Sequence, residues 1–84
     1  MKEKPWYVYM VACSDGSLYT GITTDIVRRV EEHNSGKGAK YTRARRPVSL
    51  RAAWAFSDKS SALREEHRIK KLSRSEKEKM LITL

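Results

Sequence analysis

Residues 6–13, WYVYMVAC, are apolar or aromatic at every position, in a chain where 33% of the residues are charged. No other stretch is so consistently apolar, and the pattern suits a strand covered on both faces, hence a central one. A chain of 84 residues has room for one small core. Residues 1–84 therefore read as a single domain with its core over about 5–82, and most apolar side chains are committed to packing.

A second strand, residues 17–22 (SLYTGI), pairs with this run across a turn at Asp15-Gly16. A two-residue turn pairs Ser14 with Ser17 and puts Tyr19 on the side away from Tyr9. A three-residue loop, Ser14-Asp15-Gly16, pairs Cys13 with Ser17 instead, with Gly16 in the left-handed position of a type I turn plus bulge. Tyr19 then lies opposite Val11 and Gly21 opposite Tyr9. Tyr7, Tyr9 and Tyr19 share one face, with space beside Tyr9. Composition fits both loops, and only the second gathers the tyrosines.

Farther on, Thr24 or Asp25 caps a helix to about His33, which NSGKG stops. Residues 34–47 form a long basic connection. Residues 48–56, VSLRAAWAF, read as a third strand, and a helix capped between Asp58 and Ser61 runs through Leu72. Ser73 or Ser75 opens a last helix, SEKEKMLITL. The expected fold is α+β: a three-stranded antiparallel sheet flanked by helices, in the order β-β-α-β-α-α.

Lys and Arg number 18 against 10 acids, a formal charge of +8. That excess implies a polyanionic partner, with nucleic acid ahead of an anionic membrane surface. The single cysteine, Cys13, cannot close an internal disulfide, and no apolar run reaches transmembrane length. A reducing, cytoplasmic setting is the expectation, with Cys13 a buried small hydrophobe.

Three segments carry groups capable of chemistry. In the first helix, Ile26 and Val30 define the apolar stripe, with Arg29 and His33 together at its edge; Arg28, Glu31 and Glu32 are assigned to solvent. The basic connection holds Lys37, Lys40, Arg43, Arg45 and Arg46 around Tyr41, with no acid among residues 34–47. Cations interleaved with an aromatic suit phosphate contacts and base or sugar stacking. The third segment, SALREEHRIKKLSR, is expected to bury Ala62, Leu63, Ile69 and Leu72, and both Glu65 and Glu66 fall in or near that arc. A carboxylate placed there needs a cationic partner, a metal or an edge position. Helix geometry alone does not choose between Glu65 and Glu66. A solvated charge run, a packed histidine and a simple salt bridge are the plain alternatives for the three segments.

The sequence resembles a known family at this point. Tyr7-Val8-Tyr9, with Tyr19-Thr20-Gly21 beginning ten residues after Tyr9, is similar to the two halves of the GIY-YIG nuclease signature. Arg29 stands eight residues beyond Gly21 and His33 four farther, as the family's catalytic arginine and its helix partner do. ALREE with IKKL resembles the segment carrying the family's metal-binding glutamate, and that alignment selects Glu66. YTGITTD, GKGAKYTR and IKKLSR resemble the small stand-alone group typified by YhbQ. Tyr7 stands where the name motif has glycine, and Thr20 replaces its isoleucine.

The resemblance implies a metal-dependent DNA endonuclease with little intrinsic sequence specificity, of the kind used in DNA repair or recombination. Glu66 would hold one Mg²⁺ or Mn²⁺, Arg29 would clamp the phosphate, Tyr9 or Tyr19 would orient or deprotonate the attacking water, and His33 would relay a proton or orient a tyrosine. The basic residues already named, with Lys70 and Lys71, would bind the nucleic acid: DNA first, RNA as a second candidate, with no role for a membrane. Two other readings belong beside this one. One is a nucleic-acid-binding module of the same fold with weak or lost cleavage, and the other a nuclease subunit whose substrate is selected by a protein partner.

Overall fold

The computed structural model describes residues 4–82. Its elements are β1 (Trp6–Ala12), β2 (Leu18–Thr23), α1 (Ile26–Asn34), α2 (Lys40–Arg43), β3 (Ser49–Phe56), α3 (Lys59–Lys70) and α4 (Arg74–Ile82). The strands form one antiparallel sheet in the order β2-β1-β3, so the apolar run is indeed the central strand of an α+β fold. Val8, Tyr9, Met10 and Val11 are all buried, covered from both sides. The expected last helix runs to Ile82; its final two residues, 83–84, lie outside the described part.

The hairpin closes through the three-residue loop. Cys13 N donates to Ser17 O at 2.8 Å, Gly16 N donates to Cys13 O at 3.0 Å, and Gly16 has φ of 85°. Asp15 stiffens the tip, its Oδ1 accepting from Ser17 N (3.0 Å) and Ser17 Oγ (2.6 Å). The register that results sets Tyr9 opposite Gly21 and Val11 opposite Tyr19. Side chains alternate along a strand, so the three tyrosines stand on one face. A Cβ at Gly21 would lie 2.6 Å from the Tyr9 hydroxyl, which is why that cross-strand position has no side chain.

The other face of β1 carries Val8 and Met10. They pack with the fully buried Ala62 and Ile69 of α3, and Trp6, Ile22, Trp54, Phe56 and Leu81 close around them. Local chemistry starts each helix there. Asp58 Oδ1 accepts from Ser61 N at 2.7 Å. At α4, Ser73 and Glu76 form a reciprocal capping box (Glu76 N to Ser73 Oγ 3.2 Å, Ser73 N to Glu76 Oε1 2.9 Å). Leu63, expected inside, is 37% exposed. At roughly 100° per residue the buried stripe runs Ala62–Glu66–Ile69, which leaves Leu63 a quarter-turn off its centre.

The tyrosine face is covered by α1 and α2. Asp25, not Thr24, caps α1, accepting from Arg28 N at 3.1 Å. Asn34 then binds the start of β3 as a neighbouring strand would, with Val48 N donating to Oδ1 (2.7 Å) and Nδ2 donating to Val48 O (3.0 Å). The basic connection is not without structure: residues Lys40–Arg43 form α2, an element absent from the sequence expectation. Its first turn closes on the Ala39 carbonyl, which accepts from both Thr42 N (3.1 Å) and Thr42 Oγ1 (2.9 Å).

Candidate active site

The tyrosine face of the hairpin meets the inner edge of α1. Tyr9 is 1% exposed and His33 is fully buried, and the Tyr9 hydroxyl lies 2.7 Å from His33 Nε2. The Tyr19 ring sits 6.5 Å from that of Tyr9 and 5.4 Å, edge-on, from His33. Arg29, one turn before His33, reaches the same end of the sheet. Its Nη1 donates to Glu32 Oε1 at 3.0 Å, and its side chain keeps 30% exposure. Glu32, assigned to solvent from the sequence, is turned toward this arginine because the pair shares a helix face three residues apart.

Burial dominates the electrostatics. It pushes the Tyr9 hydroxyl up to about 12, although the Arg29 guanidinium beside it favours the phenolate. Burial lowers the His33 pKa, and the Arg29 charge adds to that. Partial burial also works against the Arg29 charge, but its contacts with Glu32 and Tyr9 outweigh this and hold it above its ordinary value. At neutral pH the centre is thus a neutral phenol bonded to a neutral imidazole, with a fixed positive charge alongside.

The structure separates the two glutamates. Glu65 lies on the far edge of the α3 stripe and holds Arg68 through two short bonds, 2.7 Å to Nε and 2.6 Å to Nη2. Glu66 lies on the stripe between Ala62 and Ile69, with its side chain 14% exposed and Oε2 3.2 Å from Lys70 Nζ. Lys70 Nζ in turn lies 5.7 Å from the Tyr19 ring centroid. The Glu66 charge also raises the Tyr9 pKa, after burial and the closer groups. Glu66 therefore belongs to the tyrosine end of the molecule and Glu65 does not.

Among the described residues no three His, Cys, Asp or Glu side chains gather into a metal cage. Glu66 offers a hard oxygen donor, and that carboxylate already has a cation beside it, Lys70; the Glu32 carboxylate is taken up by Arg29. A single carboxylate suits Mg²⁺ or Mn²⁺, which keep several waters and take further ligands from a phosphate. The residues fit such an ion as a site completed by substrate.

The basic segment divides in two. Lys37, Lys40 and Arg43 are exposed. Arg45 and Arg46 have structural partners: Arg45 Nε donates to Asp15 Oδ2 (3.0 Å) and Nη1 to Tyr41 O (2.8 Å), while Arg46 Nε donates to Arg43 O (3.0 Å). Tyr41 is 39% exposed and stacks on Tyr19, with ring centroids 5.8 Å apart, while the Arg45 guanidinium lies 3.9 Å from its centroid. The aromatic expected to meet nucleic acid is thus also a brace for Tyr19. Lys71 is exposed, as is Lys70 beyond its pairing with Glu66.

Two groups were not among the sequence candidates. Thr42 is fully buried with Oγ1 2.8 Å from His33 Nδ1. Gly38 packs so close that a Cβ there would collide with Nδ1 and Cα of His33. The segment GKGAKYT itself was visible in the resemblance, but nothing in it said that its threonine turns inward.

Known proteins share both sequence and fold. The profile of the GIY-YIG catalytic domain matches residues 5–79. A UPF0213 protein of Halobacterium salinarum is 61% identical over 72 residues, which is 86% of this chain and 94% of the relative. One from Staphylococcus haemolyticus is 56% identical over 75 residues, 89% of this chain and 92% of the relative. The solution structure of the UPF0213 protein from Bacillus halodurans superposes with a TM-score of 0.60 at 55% identity, covering 92% of this chain and 82% of that one. A solution structure from E. faecalis gives a TM-score of 0.65 at 45% identity, over 98% and 88%.

Proposed function

The chain belongs to the GIY-YIG nuclease superfamily, and from that premise we propose that it is a metal-dependent DNA endonuclease with little sequence specificity of its own. The observation that carries the reading is the convergence of four different chemistries at one end of the sheet. A phenol–imidazole pair, a partly exposed guanidinium and a largely buried carboxylate come from β1, α1 and α3. A fold held only by packing has no need to bury a hydroxyl against a histidine at this place.

In the proposed reaction Arg29 binds the scissile phosphate and offsets the charge that grows on its oxygens. Tyr9 takes a proton from water as its oxygen attacks phosphorus; the new P–O bond forms as the bond to the leaving oxygen breaks, and solvent protonates that oxygen. His33 accepts the proton that Tyr9 gives up. Tyr19 holds the other side of the water site, braced by Tyr41. Glu66 would hold the Mg²⁺ or Mn²⁺, which when bound supplies positive charge to a phosphate oxygen. Lys37, Lys40, Arg43 and Lys71 bind flanking phosphates, and the whole chain acts as one catalytic domain. No described helix is long and apolar enough to cross a membrane, which is compatible with work on nucleic acid in the cytoplasm.

A second reading has its own observation. The Lys70 ammonium sits on the Glu66 carboxylate, where a bound cation would be. A binding module that has lost cleavage could keep that ion pair permanently. Nicking of supercoiled, branched and single-stranded DNA with Mg²⁺ or Mn²⁺, and then with chelator, separates the two. Metal-dependent nicking is expected. DNA binding without cleavage under every condition would leave the binding module.

A further inference from the structure

A neutral imidazole carries its proton on one nitrogen, and the two nitrogens of His33 meet different partners. Nε2 faces the Tyr9 hydroxyl at 2.7 Å, and Nδ1 faces Thr42 Oγ1 at 2.8 Å. Both partners are hydroxyls that can donate or accept, so these two distances alone leave the tautomer open. The Ala39 carbonyl decides it. A carbonyl only accepts, and Thr42 Oγ1 lies 2.9 Å from it. The single hydroxyl hydrogen of Thr42 therefore points to Ala39, and its oxygen has lone pairs to offer Nδ1. The opposite assignment would turn that hydrogen to Nδ1 and leave two oxygens 2.9 Å apart with nothing between them. Tyr9, His33 and Thr42 are buried, where an unmade hydrogen bond costs most, and Ala39 is partly so.

We propose that Thr42 is a positioning residue that fixes His33 in the Nδ1–H tautomer, so that Nε2 is a bare acceptor for the Tyr9 hydroxyl proton. The chain of bonds runs one way: Tyr9 O–H to Nε2, Nδ1–H to Thr42 Oγ1, and Thr42 O–H to the Ala39 carbonyl. With its own proton directed to Nε2, Tyr9 keeps its lone pairs for the side on which Arg29 lies. A water proton passes to Tyr9 oxygen while the Tyr9 proton passes to Nε2, and the imidazolium formed keeps its Nδ1–H on Thr42. The other tautomer would have Nε2–H donating to Tyr9, with the ring's lone pair on Nδ1, turned away from Tyr9 toward Thr42. Gly38 belongs to the same device, since only its missing side chain lets the GKGAKYT segment come so near the ring.

The kinetic consequence rests on the nuclease reading, but the tautomer does not, and the test keeps them apart. Protein labelled with ¹⁵N in histidine is read by two-bond proton–nitrogen correlation at neutral pH, with His67 assigned through His67→Gln. Wild type should show His33 neutral, protonated at Nδ1 and bare at Nε2. Thr42→Val keeps the shape and removes the acceptor, and should give a mixture or the Nε2–H form in a chain whose amide spectrum remains dispersed. Thr42→Ser should restore the wild-type pattern. In cleavage, kcat should fall at least tenfold in Thr42→Val with KM nearly unchanged, and recover in Thr42→Ser. A wild type carrying its proton on Nε2 would overturn the proposal without any variant. So would a folded Thr42→Val whose His33 stays wholly in the Nδ1–H form. Spectra as expected from a protein that cleaves no DNA would uphold the tautomer and remove the nuclease reading instead.

Discussion

The two faces of the sheet share one central strand and are built by opposite rules. On the α3 side Val8 and Met10 meet Ala62 and Ile69, an all-apolar contact that needs only volume and shape. On the α1 side Val11 still packs among Cys13, Val48 and Val30, but Tyr9 meets buried groups that require hydrogen-bond partners, His33 directly and Thr42 behind it. Alternation along β1 lets seven residues serve both purposes. The apolar face can tolerate exchange of one hydrophobe for another of like volume. The polar face cannot at Tyr9, His33 and Thr42, where each polar atom of the three side chains has a partner within hydrogen-bond distance.

The comparison breaks most readily at Ile69. Ile69→Ala leaves a cavity under β1 and should lower unfolding stability by about 2–5 kcal/mol. Denaturant unfolding measures it, and turnover per folded molecule should change little. If Ile69→Ala instead halts DNA cleavage while remaining folded, the two faces are not separable.

Next in size are the charged groups of the site, Arg29 from α1 and Glu66 from α3. Arg29→Ala and Glu66→Gln should each reduce cleavage by on the order of a hundredfold or more, roughly 2.7 kcal/mol of transition-state stabilisation. DNA affinity should largely survive both. Glu65→Gln loses only a surface pairing with Arg68 and should remain close to wild type. Single-turnover nicking beside a binding titration reads all three. Loss of cleavage in Glu65→Gln but not in Glu66→Gln would shift the assigned carboxylate by one residue.

The same two faces differ in how much of them can be read from residues in order. The apolar run announced β1, and the need to gather three tyrosines chose the Ser14-Asp15-Gly16 loop, because strand periodicity is local. Arg29 and His33 were legible for the same reason, lying four residues apart on one helix edge. Three things were not. A four-residue helix such as α2 is too short to show a period. Thr42 meets a ring nine residues away across a turn, and no repeat encodes that meeting. Arg45 reads as one cation among five until the hairpin tip, 30 residues earlier in the chain, supplies Asp15. Between Glu65 and Glu66, one helical step apart, helix geometry alone did not choose; the family resemblance selected Glu66, and the packing of Ala62 and Ile69 sets that residue on the stripe between them.

A smaller effect comes from pH. An unfolded tyrosine ionises near 10, and Tyr9 in the folded chain near about 12. Between those values the unfolded chain releases a proton that the folded chain keeps. The stabilisation is therefore whole below pH 10 and is lost as pH rises through the folded value, on the order of 2 kcal/mol in all. Tyr9→Phe should flatten that part of the stability curve and remove the last phenolate to appear in an alkaline absorbance titration. A wild-type curve no steeper than that of Tyr9→Phe would mean that the Tyr9 hydroxyl is not held as an unionised donor.

The smallest expected effects test the basic segment, where the comparison is between cations with and without structural partners. Arg43 is exposed, so Arg43→Glu should leave stability alone and weaken binding to all DNA sequences alike. Losing one phosphate contact should lower the slope of log affinity against log salt by about 0.9. Arg45 also ties α2 to the hairpin tip and lies over Tyr41, which braces Tyr19. Arg45→Glu should therefore lower stability slightly, as losing an exposed ion pair does, and lower kcat as well as affinity because Tyr19 loses its backing. A salt titration of binding, run with each variant beside an unfolding curve, separates the two residues. If Arg43→Glu and Arg45→Glu weaken DNA equally and neither touches stability or kcat, the segment is a plain solvated phosphate binder, and the link from Arg45 through Tyr41 to Tyr19 has no part in the site.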